Sequence, residues 1–142
     1  MKKDLLPYYK QLLTARFSLH CAQNDNHLIP LRESTDFILV QNNTRTLVKV
    51  TGRRNFQPSI LLADLDRKDI RKVKEKANEH QCASIAWLVC VPMENGELRG
   101  FFGSEKQFRS LMRISEGKTV QFIPTKSKDV FEEKGVLMFR LT

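Results

Sequence analysis

The chain has 142 residues, 41% of them hydrophobic and 28% charged, a composition that fits one folded domain with a sizeable core and excludes a disordered tail. Lysine and arginine outnumber the acids by 24 to 16, for a formal charge of +8, so a polyanion partner is expected, nucleic acid first and DNA for preference. The longest apolar run, Ala83 to Val91, falls short of the roughly eighteen residues of a membrane span, and Asp4, Pro7 and Lys10 leave no apolar stretch for a secretory signal, so a cytoplasmic protein is expected.

In chain order, Asp4 is placed to cap a first helix that carries Leu5, Tyr9, Leu12 and Leu13 at helical spacing. That helix is predicted to end near Arg16 or His20, because Phe17, Leu19 and Cys21 alternate as in an extended segment. Gln23 to His27 reads as a loop. Asp36–Val40 and Thr46–Thr51 read as strands joined by the turn Gln41-Asn42-Asn43-Thr44, a β-hairpin, with room for one more strand before Asp36. Gly52 and Pro58 punctuate the exit, with Arg53 and Arg54 between them.

A second helix is predicted over Asp66–His80, capped by Asp64 or Asp66. Ile70, Val73 and Ala77 form its apolar stripe, and Arg67, Lys68, Arg71, Lys72, Lys74 and Lys76 occupy its other faces. Ala83–Val91 shows no polar alternation and reads as a strand buried on both sides. Glu94–Glu97 is a tight turn and Leu98–Phe102 the returning strand. Ser104 and Gln107 form a capping box for a short helix bearing Phe108, Leu111 and Met112. Thr119–Ile123 and Val136–Leu141 are two further strands, separated by the charged connection Lys126–Lys134. The expected fold is therefore α/β (α+β), a mixed central sheet flanked by helices, in one domain spanning residues 1–142.

The order of helix, hairpin, helix and wholly apolar strand resembles the restriction-endonuclease-like fold of the PD-(D/E)XK nuclease superfamily, over about Leu5 to Phe102. That superfamily places an Asp at the head of one hairpin strand and Glu-x-Lys on the next. Asp36 in Thr35-Asp36-Phe37-Ile38-Leu39-Val40 matches the Asp, and Lys49 in Leu47-Val48-Lys49 matches the Lys. Leu47 stands where the Glu would be. The departure matters because two facing carboxylates hold Mg²⁺, and the Lys two residues on stabilises the charge that develops. The resemblance implies a degenerate centre in which Asp36 orients Lys49, in bacterial or phage DNA metabolism or defence. Were the chain an active nuclease, Asp36 and Lys49 would be catalytic and Asp36 would ligate Mg²⁺. The second acid would then come from Glu33, Asp64, Asp66 or Asp69. With no such activity, no cofactor is expected.

Lys49, Arg53 and Arg54 cluster at and beyond the end of the second hairpin strand, with Arg45 at its start; Lys68, Arg71 and Lys72 add a basic helix face. Guanidinium forks suit phosphate oxygens, a flexible Gly52 lets backbone approach, and Phe56 is placed to stack on a base. The bland alternatives are edge-strand charges at Arg45 and Arg53, a solvated helix face, and a purely structural Asp36–Lys49 pair. His20, His27 and His80 lack metal spacing, and Cys21, Cys82 and Cys90 form no CxxC and read as reduced, buried thiols. No helix–turn–helix, zinc finger, phosphate loop or nucleophile elbow is present. Three functions follow: a nucleic-acid-binding domain or complex subunit, a Mg²⁺-dependent endonuclease with a displaced acid, and a protein-interaction adaptor or homodimer built on its apolar C-terminal segments.

Overall fold

Helix α1 (Leu6–Gln23) runs past its expected end. Leu13, Phe17 and Cys21 are buried along one side of it while Leu19 faces solvent, so the Phe17–Leu19–Cys21 alternation belongs to neighbouring helix faces and not to a strand. Asp4 Oδ1 accepts the Leu6 N–H at 3.1 Å, and Pro7 sits in the first turn where its missing donor does no harm. These features come from a computed structural model that describes residues 4–32, 34–58, 60–61, 67–111, 113–115 and 119–142. Of 61, 67–69, 113–115 and 119–122 it describes the backbone alone. Glu33, Asp64, Asp66 and Met112 lie outside the described residues, and so does the side chain of Asp69.

The expected hairpin is present as β2 (Phe37–Gln41) and β3 (Thr44–Gly52), paired antiparallel from Phe37↔Val48 to Gln41↔Thr44. Asn42 and Asn43 close it with φ of 45° and 66°, the left-handed pair that a two-residue turn requires and asparagine tolerates. The additional strand before Asp36 is β1 (His27–Pro30), an edge strand against β2. After β4 (Ile60–Leu61), helix α2 (Arg67–Glu79) crosses back so that β5 (Ser84–Pro92) lies parallel to β3. Strands β6 (Leu98–Ser104) and β9 (Leu137–Arg140) extend the sheet antiparallel, giving the order β1-β2-β3-β5-β6-β9. The mixed sheet predicted from the sequence is thus observed, with β5 at its centre and Trp87 to Val91 fully buried.

Helix α1 covers one face of this sheet through Phe37, Leu39, Val48, Val50, Leu88 and Cys90. The opposite face packs Leu47, Trp87, Val89 and Phe101 against α2, α3 (Glu105–Leu111) and α4 (Lys128–Glu133). Ser104 and Gln107 form the capping box reciprocally: Gln107 donates its N–H to Ser104 Oγ at 3.2 Å, and Gln107 Oε1 accepts the Ser104 N–H at 2.8 Å. Three elements were missed in the sequence. Two are strands of three residues or fewer: β4, and β7 (Arg113–Ser115), which pairs with β8 (Thr119–Phe122) in a second, three-stranded sheet. The third is α4, which sits within the charged Lys126–Lys134 connection and is anchored by Phe131, 0% exposed. A six-residue helix offers too few apolar positions to show a period.

Gly52 corrects another expectation. It is a buried strand residue, not a flexible hinge, and a Cβ there would collide with the Cys90 sulfur and come within 2.9 Å of the Cys90 carbonyl oxygen. It permits close approach of β3 to β5.

Candidate functional site

Asp36 stands one residue before β2, in register opposite Lys49 on β3, and both project to the α2 side of the sheet along with Leu47. Asp36 is the buried charged residue of the described core, 2% exposed. A carboxylate so deeply desolvated must be saturated by donors, and it is. Val50 N–H donates to Oδ1 at 2.9 Å, and Lys49 Nζ lies 3.4 Å from Oδ2. Lys76 Nζ, arriving from α2, is closer still, 2.9 Å from the same Oδ2, and also reaches Ser34 Oγ at 3.1 Å. Ser34 Oγ in turn accepts the Asp36 N–H at 3.1 Å.

Lys76 is the residue that sequence reasoning did not assign to the centre. The available signal was its position three residues beyond Val73 and beside Ala77, on the shoulder of the apolar stripe and not opposite it. Its side chain is 32% exposed and that of Lys49 31%, so each runs along the protein and keeps part of its length in water. One carboxylate between two ammonium groups leaves the centre with a net positive charge.

Leu47, where the sequence resemblance would require a second acid, is 0% exposed and belongs to the core beneath α2. Both oxygens of Asp36 are engaged by protein donors, and a divalent cation would have to displace Lys76 to reach Oδ2. Among the described residues no three His, Cys, Asp or Glu side chains converge. The described donor set does not fit Mg²⁺, which binds through several oxygen ligands and repels ammonium neighbours.

The other basic residues separate into groups. Arg53 and Arg54 follow Gly52 directly, at the same end of β3 as Lys49. Arg53 donates its backbone N–H to Cys90 O at 3.1 Å and a guanidinium N–H to Gly52 O at 2.9 Å. Arg54 is exposed and pairs with Asp4 at 3.1 Å, an ion pair of the solvent-accessible kind that contributes little. The Leu6 backbone N–H and then Arg54 hold the Asp4 carboxyl below its ordinary range. Arg45 lies at the far end of β3, donating to His80 O at 3.1 Å, and Ala83 donates its N–H back to Arg45 O at 2.9 Å. Arg45 is thereby tied to the C-terminal end of α2, away from the Lys49 group. Arg71 and Lys72 are exposed on α2, and Lys68 lies in that helix with its side chain outside the described residues. Phe56, expected as a base-stacking platform, is half-buried in a small groove with Met93 and Arg99.

A cleft of about 710 Å³ opens between α1 and the start of β2. Pro7, Lys10, Thr14, Ser34, Asp36 and Arg54 are among its walls, so the buried carboxylate lies between this cleft and the ammonium pair. The three cysteines are buried and unbridged. Burial pushes the thiols of Cys21 and Cys90 up to about 11, which keeps them protonated and unreactive. No described helix is long and apolar enough to cross a membrane.

No family model matches the chain. No curated protein matches it in sequence. Among solved structures, that of Archaeoglobus fulgidus Hjc, described as a Holliday junction resolvase from an archaeal hyperthermophile, is similar with a TM-score of 0.45 and 10% identity, over 78% of this chain and 88% of that one.

Proposed function

We propose that this chain is a nucleic-acid-binding domain or complex subunit, with DNA as its partner, whose restriction-endonuclease-like centre holds a phosphate and does not cut it. The observation that carries this reading is the Lys76 ammonium on Asp36 Oδ2, where a nuclease would place its cation. Each ammonium has three N–H donors. Lys76 directs two of them to Ser34 and Asp36, and Lys49 directs one to Asp36, which leaves donors at a partly exposed, positively charged spot. A backbone phosphate fits that chemistry: it accepts from both lysines while Asp36 holds them apart and in place. Arg53 and Arg54 extend the positive lip. Binding of this kind reads the backbone and not the base sequence.

The test is a titration of labelled DNA and RNA at several salt concentrations, with and without Mn²⁺. Retention at low salt that falls steeply as salt rises, with the nucleic acid left intact, is the expected result. Mn²⁺-dependent cutting lost in Asp36→Ala would overturn the non-cutting centre. Absence of retention at low salt would remove nucleic acid as the partner and favour an adaptor role.

A further inference from the structure

Helix α1 has three distinct faces. One packs on the sheet through Leu13, Phe17 and Cys21, and a second lines the cleft through Pro7, Gln11, Thr14 and Ser18, with Ala15 on the edge it shares with the third. The third carries Leu5, Tyr8, Leu12, Ala15, Leu19 and Ala22, all exposed. Their spacings alternate three, four, three, four, three, the a/d pattern of a two-helix seam kept over the whole helix. Four of the five exposed large hydrophobic residues among the described ones fall on this stripe: Leu5 at 43%, Tyr8 at 47%, Leu12 at 46% and Leu19 at 55%. Scattered exposed apolar residues need no explanation, but a continuous row does.

Among the described residues the stripe itself carries no charged side chain, in a protein of net charge +8. Beside the stripe stand Asp4, Tyr9, Gln11, Arg16, Ser18 and Gln23. Asp4 is paired with Arg54, and the Arg16 guanidinium lies over the Phe139 ring at 4.9 Å. Two copies could therefore approach here without the repulsion their net charge imposes elsewhere.

We infer that this face is the seam of a symmetric homodimer in which two α1 helices pack antiparallel. Antiparallel pairing sets Leu5 against Ala22, Tyr8 against Leu19 and Leu12 against Ala15, so two of the three pairs set a large side chain against a small one and the seam fills evenly. Parallel pairing would set leucine on leucine and alanine on alanine, leaving gaps at the alanines. A self-complementary row is what a two-fold axis demands, and antiparallel helix dipoles attract. Such a helix pair, about 27 Å long, buries on the order of 1,000 Å², the small end of specific interfaces.

Sedimentation of the full chain over a wide concentration range is expected to show a monomer–dimer equilibrium that survives high salt. The double variant Leu12→Lys, Leu19→Lys should raise the dimer Kd at least about a hundredfold, with an unchanged circular dichroism spectrum because both positions are exposed. Orientation is read by oxidising a mixture of Tyr8→Cys and Leu19→Cys proteins, whose new cysteines face each other only in the antiparallel pair and otherwise lie about 16 Å from their own counterparts. The mixed disulfide supports the seam. A monomer at every concentration, or a dimer unaffected by the lysines, overturns it. Disulfides joining each variant only to itself overturn the antiparallel arrangement.

Discussion

Lys76 Nζ lies 2.9 Å from Oδ2 of the buried Asp36, nearer than Lys49 at 3.4 Å. A helix forty residues downstream thus supplies the closer counter-ion to a carboxylate whose strand neighbour already offers one. The centre is an ammonium–carboxylate–ammonium arrangement bridging β3, the start of β2 and α2.

Removing the carboxylate should therefore be a stability event. Asp36→Ala leaves the Val50 N–H without its acceptor and two lysines without their counter-ion, and is expected to destabilise the fold by about 3–5 kcal/mol. Asp36→Asn keeps an acceptor for Val50 and should lose about half as much. Urea unfolding measures both, and an unchanged midpoint for Asp36→Ala would show that the carboxylate holds nothing together.

Leu47→Glu, which supplies the acid that the sequence resemblance would require in this strand, is expected to cost at least about 3 kcal/mol, because position 47 is 0% exposed beneath α2 and a carboxylate there has no water. Calorimetric titration with Mn²⁺ should give no heat above that of the parent. A variant as stable as the parent that also binds Mn²⁺ would overturn the non-cutting centre proposed above.

The two ends of β3 should behave differently toward nucleic acid. Replacing Lys49 and Lys76 together by Met is expected to lower the slope of log K against log salt by about 2, and Arg54→Met by about 1. Arg45→Met should leave the slope alone and reduce stability by about 1–2 kcal/mol, since the Arg45 guanidinium is turned to His80 O at the far end of the strand. Equal slopes for Arg45→Met and Arg54→Met would mean that the contact surface runs the full length of the strand.

The buried thiols give a pH signature. Cys21 and Cys90 are raised by burial from the ordinary value near 9 to about 11. The fold favours their protonated form, so their contribution is complete below pH 9 and is lost as pH rises from 9 to 11. The urea midpoint should fall over that interval, less steeply in Cys21→Ala and Cys90→Ala, and thiol reagents at neutral pH should modify neither residue until the protein unfolds.

Gly52→Ala tests the contact between β3 and β5. The added methyl meets the Cys90 sulfur and carbonyl oxygen, and a loss of about 1–3 kcal/mol in thermal or urea unfolding is expected. No loss would mean that the two strands can separate locally without penalty.

Periodicity alone determined the hairpin, the amphipathic α2, the wholly apolar central strand and the Ser104–Gln107 cap, because these depend on side chains close in the chain whose burial repeats with the backbone's own period. That Asp36 and Lys49 meet was an expectation from the resemblance, and the observed register and two-residue alternation put them on one sheet face. The tertiary structure alone decided that α2 swings Lys76 onto Asp36, that Arg45 is drawn away to His80, and that Gly52 is a packing residue. Each of these depends on which surfaces of distant segments meet, and local periodicity carries no record of a contact between residues forty positions apart.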